Sequence, residues 1–371
     1  MSNYFLKKET KRILSFFLFT PKYFSFLKIF KKINKQKIKP YFGINIFKTG
    51  GPYLRTKKIS NFFGNYLFFP NIIYAQSYWS SKELNDAVNY SEKFKIPIVF
   101  NQNGWFYKGW YKRNWKKQNL NIVKVHKKSS IVIYQSNFCK TASEKLNNYS
   151  KKNSLIIQNS LYEAKNKKKK NLDLNYFLLS GVFDVNSKHI IEPAIEAFKY
   201  FSKKIDFKKI NLKLIIMGFF TNDAKKKIWY KKIKKDIEYL SKLKILEFRG
   251  KYDQKNLNNT FSDINFALHL KYKDPCPNAV VERIKHRIIH IYSNSGGTPE
   301  LVGNAGLPIN VLNSWEKQVP VNPKILVKKI LHAVKTRDKL LKKVEIVSKK
   351  YRYKDYMNKH KKIFFDAISK T

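Results

Sequence analysis

Short apolar runs alternate with longer mixed stretches along most of this chain. In the first half the runs are Asn71-Ile72-Ile73-Tyr74-Ala75, Pro97-Ile98-Val99-Phe100, Ile131-Val132-Ile133-Tyr134 and Leu155-Ile156-Ile157, with Gly43-Ile44-Asn45-Ile46-Phe47 ahead of them. Continuous apolar runs this short, rich in β-branched and aromatic residues, predict strands buried on both faces. Helical stretches are predicted after Thr49-Gly50-Gly51-Pro52, at 82–94 and at 140–149. Alternating strands and helices predict a parallel sheet covered on both sides.

A lysine-rich run from Lys165 to Asn171 has no apolar face and reads as a solvated linker. Beyond it the alternation restarts. Strands are predicted at Tyr176 to Gly181, Leu212 to Met217 (ending at Gly218), Ile245 to Phe248, Ile264 to Leu270 and Ile288 to Tyr292. Helices are predicted at 190–201, 323–337 and 338–350, and an amphipathic stretch from Asp355 to Ile368 closes the chain. The expected organisation is a basic and aromatic N-terminal arm (1–39), a first α/β domain (40–164), a linker (165–172), a second α/β domain (173–350) and a C-terminal helix (351–371).

Composition changes this picture in one respect. The 371 residues suffice for two domains with separate cores, but the formal net charge is +51. Such a balance points first to nucleic acid or an anionic membrane. The basic residues are mostly Lys, which suits a diffuse field better than the bidentate reading of bases by Arg, so no specific nucleic-acid partner is expected. Codon bias toward Lys, Asn and Ile is an equally good source of the charge. In the N-terminal arm Tyr23, Phe24, Phe26 and Phe30 lie among Lys22, Lys28, Lys31 and Lys32. This fits an amphipathic arm on an anionic membrane surface or a helical extension packed on the first domain. The Ile13–Phe19 run is short and lacks a small-residue cleavage site, so it reads as uncleaved. Two cysteines, Cys139 and Cys276, indicate no disulfide framework and a reducing, cytoplasmic setting; the basic arm adds the expectation of a peripheral place on the inner face of the plasma membrane. No His/Cys cluster has metal-ligand spacing, so no metal is expected.

The densest chemistry lies between Asp274 and Gly306. Pro277 can sit in the first turn of a helix, and helix-period residues run to Arg287. After the strand, Ser295-Gly296-Gly297-Thr298 is a turn whose bare amides can approach an anion. A helix start and a glycine turn facing one space make a place for a pyrophosphate. Glu282 and Asp274 add acceptors for hydroxyl groups, so the ligand class is phosphate-linked and hydroxyl-rich, such as a nucleotide sugar.

Asp274 and Glu282, followed by Gly296-Gly297-Thr298-Pro299-Glu300, resemble the donor site of retaining glycosyltransferases of family 4. The resemblance implies the GT-B architecture: two Rossmann-like domains facing across a cleft, with the last helix crossing back to the first domain. It implies transfer of a sugar, with retention and without a metal or cofactor, from a nucleotide-diphosphate donor to a glycan or lipid-linked acceptor. Cell-surface polysaccharide synthesis is the expected setting. In its terms Glu282 bonds the ribose, Asp274 (more often Glu) contacts the transferred sugar, and Lys188 after Ser180-Gly181 offsets the diphosphate charge. The amides of Asn278 and Ala279 and the Gly296-Gly297-Thr298 turn face the phosphates, Gly50-Gly51 approach them from the first domain, and Arg249 lies beside the base. Asn103 takes the place of a family His at the donor sugar.

Two departures stand out. The Arg that accompanies the Lys in the family falls near Val182 or Phe183, and Arg287 occupies a helix end where relatives have Gly. The missing Arg, with Asn103 in place of the His, leaves a non-catalytic glycan-binding or scaffold protein as the alternative. Trp105, Tyr107, Trp110, Tyr111 and Trp115, among Lys108, Lys112 and Arg113, suit sugar stacking, membrane anchoring or plain loop packing.

Overall fold

A computed structural model describes residues 37–43, 51–111, 114–149, 152–160, 173–204, 209–252 and 256–370. The N-terminal arm, Gly50, the strand expected at 43–47 beyond Gly43, Lys112, Arg113 and the linker lie outside them. The chain forms two compact units.

The first unit comprises the described residues up to 106, 114–160 and 353–370. Its five strands are β1 (Pro40–Tyr41), β2 (Ile72–Gln76), β3 (Ile98–Gln102), β4 (Ile131–Tyr134) and β5 (Ser154–Ile156). They pair in chain order and all in parallel. Every residue of β2, β3 and β4 is buried, as two covered faces require. Helices α1 (Gly51–Phe63), α2 (Ser81–Phe94), α3 (Trp115–Lys128) and α4 (Asn137–Asn147) connect the strands. Their starts are written locally: Ser80 and Glu83 form a reciprocal capping box, and the side chains of Asn114 and Ser136 accept amides of α3 and α4.

The second unit comprises 107–111 and the described residues between 173 and 352. In chain order it contains β6 (Asn175–Phe183), α5 (Lys188–Lys204), β7 (Leu212–Phe220), α6 (Asn222–Lys225), α7 (Ile228–Lys242), β8 (Leu246–Gly250) and α8 (Leu257–Thr260). Then follow β9 (Phe266–His269), α9 (Asn278–Lys285), β10 (Ile289–Ser293), α10 (Thr298–Val302), β11 (Gly306–Ile309), α11 (Pro323–Lys335) and α12 (Arg337–Ser348). The six strands lie in the order β11-β10-β9-β6-β7-β8, all parallel. Strand order therefore reverses between β6 and β9. There the pairing is brief, Phe177 with Phe266 and Leu178 with Ala267, so the two strands are unpaired at their carboxyl ends.

The last helix, α13 (Tyr353–Ser369), packs on β2 and β3 of the first unit. Phe364 is fully buried against Phe42, Phe63 and Tyr74. A polar chain reinforces the seam: Asn101 Nδ2 donates to Tyr74 Oη at 2.6 Å, Tyr74 Oη lies 3.1 Å from His360 Nε2, and His360 Nδ1 lies 2.9 Å from Tyr356 O. The chain thus has two Rossmann-like α/β sheets with the final helix returned to the first.

The structure differs from the sequence reading in several boundaries. β6 and β7 do not stop at Gly181 and Gly218; both run two residues further, with the two glycines directly paired. A Cβ on Gly218 would lie 1.8 Å from Gly181 O, so the glycine there marks a close strand approach. Helix α9 ends at Lys285, and Pro277 is its N-cap. Arg287 does adopt a left-handed φ of 61°, and its guanidinium pairs with Glu345 of α12. Among the described residues no helix is long and apolar enough to cross a membrane.

Candidate functional site

The reversal of strand order in the second unit defines where a ligand fits, because crossovers leave the sheet in opposite directions and open a crevice at the strand ends. Of the residues singled out in the sequence, Lys188, Asp274, Asn278, Ala279, Glu282 and the Gly296-Gly297-Thr298 turn follow β6, β9 and β10 at that edge, whereas Arg249, Gly51 and Asn103 do not. Asp274 and the glycine turn are locked together: Gly297 N donates to Asp274 O at 2.8 Å, and Lys273 N donates to Ser295 Oγ at 3.0 Å. Gly296 has φ +70°, and a Cβ there would meet Asp274 O at 2.4 Å. Only glycine lets the turn and the acidic loop touch in this way.

Asp274 is buried, with Lys271 Nζ 3.0 Å and His269 Nε2 3.7 Å from its Oδ2. The Asp274 charge raises the pKa of the half-exposed Lys271, while burial holds His269 down to about 4. His269 is therefore neutral at pH 7, and Lys271 carries the charge. Behind them His290 is fully buried, and burial drives its pKa well down.

Pro277 is the N-cap of α9 and makes no side-chain cap hydrogen bond, and Asn278 and Ala279 form the start of the helix. Glu282, one turn on, is 1% exposed, and Tyr252 Oη donates to its Oε1 at 3.5 Å. Burial and then the Glu282 charge push the Tyr252 hydroxyl pKa up, so it remains a donor. Thr298 is buried at the start of α10, its Oγ1 without a partner.

Lys188 opens α5, is exposed, and reaches Glu192 Oε2 at 3.7 Å. The helix start is tied to the acidic loop through its neighbour: Tyr272 N donates to His189 Nε2 at 3.4 Å. Gly181 stands in open space, with nothing within 4 Å of where its Cβ would be. Arg249 sits on β8, further along the sheet. Its fork is taken by Glu247 (Nε to Oε1, 2.7 Å) and Asp263 (Nη1 to Oδ1, 3.0 Å; Nη2 to Oδ2, 2.6 Å).

In the first unit Asn103 follows β3. Its Oδ1 accepts from Arg55 Nη2 at 2.5 Å and from Gln135 Nε2, and its backbone N donates to Ser77 Oγ at 2.9 Å. Gly51 begins α1. Of the aromatic cluster, Trp105 and Tyr107 are buried and Trp110 is exposed. Residues 107–111 pack within the second unit: Gly109 N donates to Trp315 O at 2.8 Å, and Gln318 Nε2 donates to Tyr107 Oη at 3.2 Å.

The sequence reading missed Tyr252, Lys271 and Arg283. Arg283 is 1% exposed, donates to Ser180 Oγ at the open end of β6, and has a buried Nε with no partner. A signal was present, for only eight arginines accompany 68 lysines in the chain. Arg is the residue suited to a fixed, multi-donor task, so each one here merits scrutiny.

Comparison with known proteins agrees with this geometry. The sequence matches the family described as Glycosyl transferases group 1 over residues 160–351, which spans the second unit and its site. No curated protein matches it in sequence. Among solved structures, HepE of Anabaena, determined with UDP, superposes with a TM-score of 0.63 at 14% identity, over 84% of this chain and 82% of that one. Sucrose-phosphate synthase of Thermosynechococcus elongatus gives 0.62 at 12% identity, over 86% and 78%. A glycosyltransferase of Rickettsia africae gives 0.57 at 12% identity, over 87% and 84%. At these identities the likeness is one of fold, and the fold shared is GT-B-like. With the family match covering more than half of the sequence and the acidic loop seated on its glycine turn, this chain belongs to the glycosyl transferases group 1.

Proposed function

We propose that this protein is a retaining, metal-independent glycosyltransferase that moves a sugar from a nucleotide-diphosphate donor to a glycan or lipid-linked acceptor. Its place is in cell-surface polysaccharide synthesis at the cytoplasmic face of a membrane. The observation that carries the reading is the contact of Gly296 and Gly297 with the backbone of Asp274, beside a helix that presents buried Glu282. That arrangement supports a reading in which Asp274 takes the sugar and Glu282 the ribose at one strand edge.

In this reading Glu282, oriented by Tyr252, accepts from the ribose hydroxyls, and Asp274 accepts from the sugar. The Asn278 and Ala279 amides, Gly296 and Thr298 of the turn and Lys188 oppose the growing negative charge on the departing diphosphate, while the Gly297 N–H, given to Asp274 O, holds the turn in place. Gly181 leaves room for the phosphates, and Gly50-Gly51 and Asn103 act from the first unit. Val182 and Phe183 stand where the family has its second cation; Arg283, bonded to Ser180, supplies a guanidinium at the same strand end. The bond from anomeric carbon to phosphate oxygen breaks, the acceptor oxygen bonds that carbon on the same face, and the acceptor proton passes to the leaving phosphate.

HepE was solved with UDP-glucose, which makes UDP-sugars the first donors to test. A thermal-shift panel of nucleotide sugars should yield one that stabilises the protein, by about 2.7 kcal/mol at a hundredfold excess over Kd. Glu282→Ala should bind it at least tenfold more weakly and lose transfer. A panel with no stabilising nucleotide sugar, or Glu282→Ala binding as wild type does, would sink the proposal.

A further inference from the structure

The first unit contains a second concentration of unsatisfied chemistry, centred on Arg55 and sharing only Asn103 with the donor residues. Arg55 of α1 is 2% exposed, yet among the described residues no carboxylate lies within 4 Å of it. Its Nη2 donates to two neutral amide oxygens, Gln76 Oε1 at 2.7 Å and Asn103 Oδ1 at 2.5 Å, and its Nε is buried without a partner. A guanidinium taken out of water is costly unless an opposite charge meets it.

The groups around it make the imbalance sharper. Gln76, Gln102 and Asn103 end or follow β2 and β3, and Gln135 follows β4, so the cluster sits at the carboxyl ends of the strands, where α/β sheets take ligands. The acceptor oxygens here are already used. Asn103 Oδ1 takes two donors, Asn101 Oδ1 accepts from Gln135 Nε2 at 2.8 Å, and Gln135 Oε1 accepts from Asn159 Nδ2 at 3.2 Å. Arg55 Nε, Gln102 Nε2 and Asn103 Nδ2 are buried here without a partner, and all three are donors. Asn103 and Gly104 are only partly buried and form the approach. The charge is felt nearby: after burial, Arg55 is among the causes that hold His360 down to about 4.

We propose that the strand ends of the first unit bind an anionic group, a phosphate or a carboxylate, with Arg55 as its counter-charge and the amides of Asn103 and Gln102 as its donors. That the group belongs to the sugar acceptor rests on the glycosyl transfer proposed above; the anion site itself does not. The acceptor is then an acidic sugar or a phosphate-bearing carrier, not a neutral glycan.

The test is calorimetric titration of the full chain with glucose 1-phosphate, glucuronate and methyl glucoside, each with and without saturating UDP to fill the donor site. Wild type should bind one or both anions with UDP present and ignore methyl glucoside; which anion binds distinguishes a phosphate from a carboxylate source. Arg55→Gln should lose at least tenfold in that affinity while its UDP affinity stays unchanged. Gln76→Glu keeps the shape and supplies an internal carboxylate to Arg55, so it should melt higher than wild type and lose the anion. If Arg55→Gln does not fold, Gln76→Glu alone decides. Anion binding equal to wild type in Gln76→Glu, or no anion binding by wild type, overturns the proposal. Absent UDP binding with intact anion binding instead counts against the transferase reading alone.

Discussion

Gly296→Ala is the sharpest perturbation of the donor edge, because its cost has two separable parts. The first is conformational: φ is +70°, and an L-residue in the left-handed region costs about 1–2 kcal/mol. The second is contact. The new methyl would lie 2.4 Å from Asp274 O, 2.7 Å from Asp274 N and 2.8 Å from Lys273 C, all backbone atoms that no rotamer change can move. Relief requires the acidic loop to retreat, at the expense of the Gly297-to-Asp274 and Lys273-to-Ser295 hydrogen bonds, each worth about 0.5–1.5 kcal/mol. The sum is about 2–5 kcal/mol. Gly250 provides the control: φ is +68°, with nothing within 4 Å of a Cβ, so Gly250→Ala incurs only the first part. Gly181→Ala, with neither, should be nearly silent. At about 2–4 °C per kcal/mol for a unit of this size, scanning calorimetry should rank the three without ambiguity. Titration should show UDP affinity falling at least tenfold for Gly296→Ala, falling as well for Gly181→Ala, whose methyl enters the space left for the phosphates, and unchanged for Gly250→Ala. If Gly296→Ala melts with Gly250→Ala and binds UDP as wild type does, the claim that the turn and the acidic loop form one rigid site is refuted.

Acid should destabilise both units through buried neutral histidines. His269 in the second unit and His360 in the first have pKa values of about 4, below the usual 6.5. Their stabilising effect is complete above about pH 6.5 and lost as pH falls toward 4, on the order of 3 kcal/mol each; a melting temperature flat between pH 4.5 and 7 would contradict this, and His360→Gln should flatten the first unit's share. Phe364→Ala, which empties a fully buried site under α13, should cost about 3–5 kcal/mol and be read as loss of the first unit's unfolding transition at lower urea. Arg249→Met takes the guanidinium from Asp263 and leaves Glu247 with Lys213 at 3.7 Å, and should lower the urea midpoint of the second unit. Because the N–H groups are taken and only the flat face remains for a base, UDP affinity should fall by no more than about threefold.

The order of elements was legible because it is local. Fully apolar runs such as Ile131–Tyr134 read as strands, and cap residues such as Ser80 with Glu83 announce helix starts. Leu155-Ile156-Ile157 read the same way, yet as an edge strand it leaves Leu155 and Ile156 exposed. The donor edge was legible too, since Asp274, Glu282 and the glycine turn lie within one short stretch. Helix α3 escaped because its buried face includes Asn119 and His126 while Leu120 is 67% exposed, which blurs the apolar period. Strand ends at Gly181 and Gly218 were misplaced because a glycine that stops a strand and one that lets two strands close up look the same in sequence. Strand order, the gap between β6 and β9, and the burial of Arg55 and Arg283 were decided only by tertiary structure. Each depends on groups far apart in the chain meeting in space, and a side chain's charge carries no record of whether water or protein will surround it.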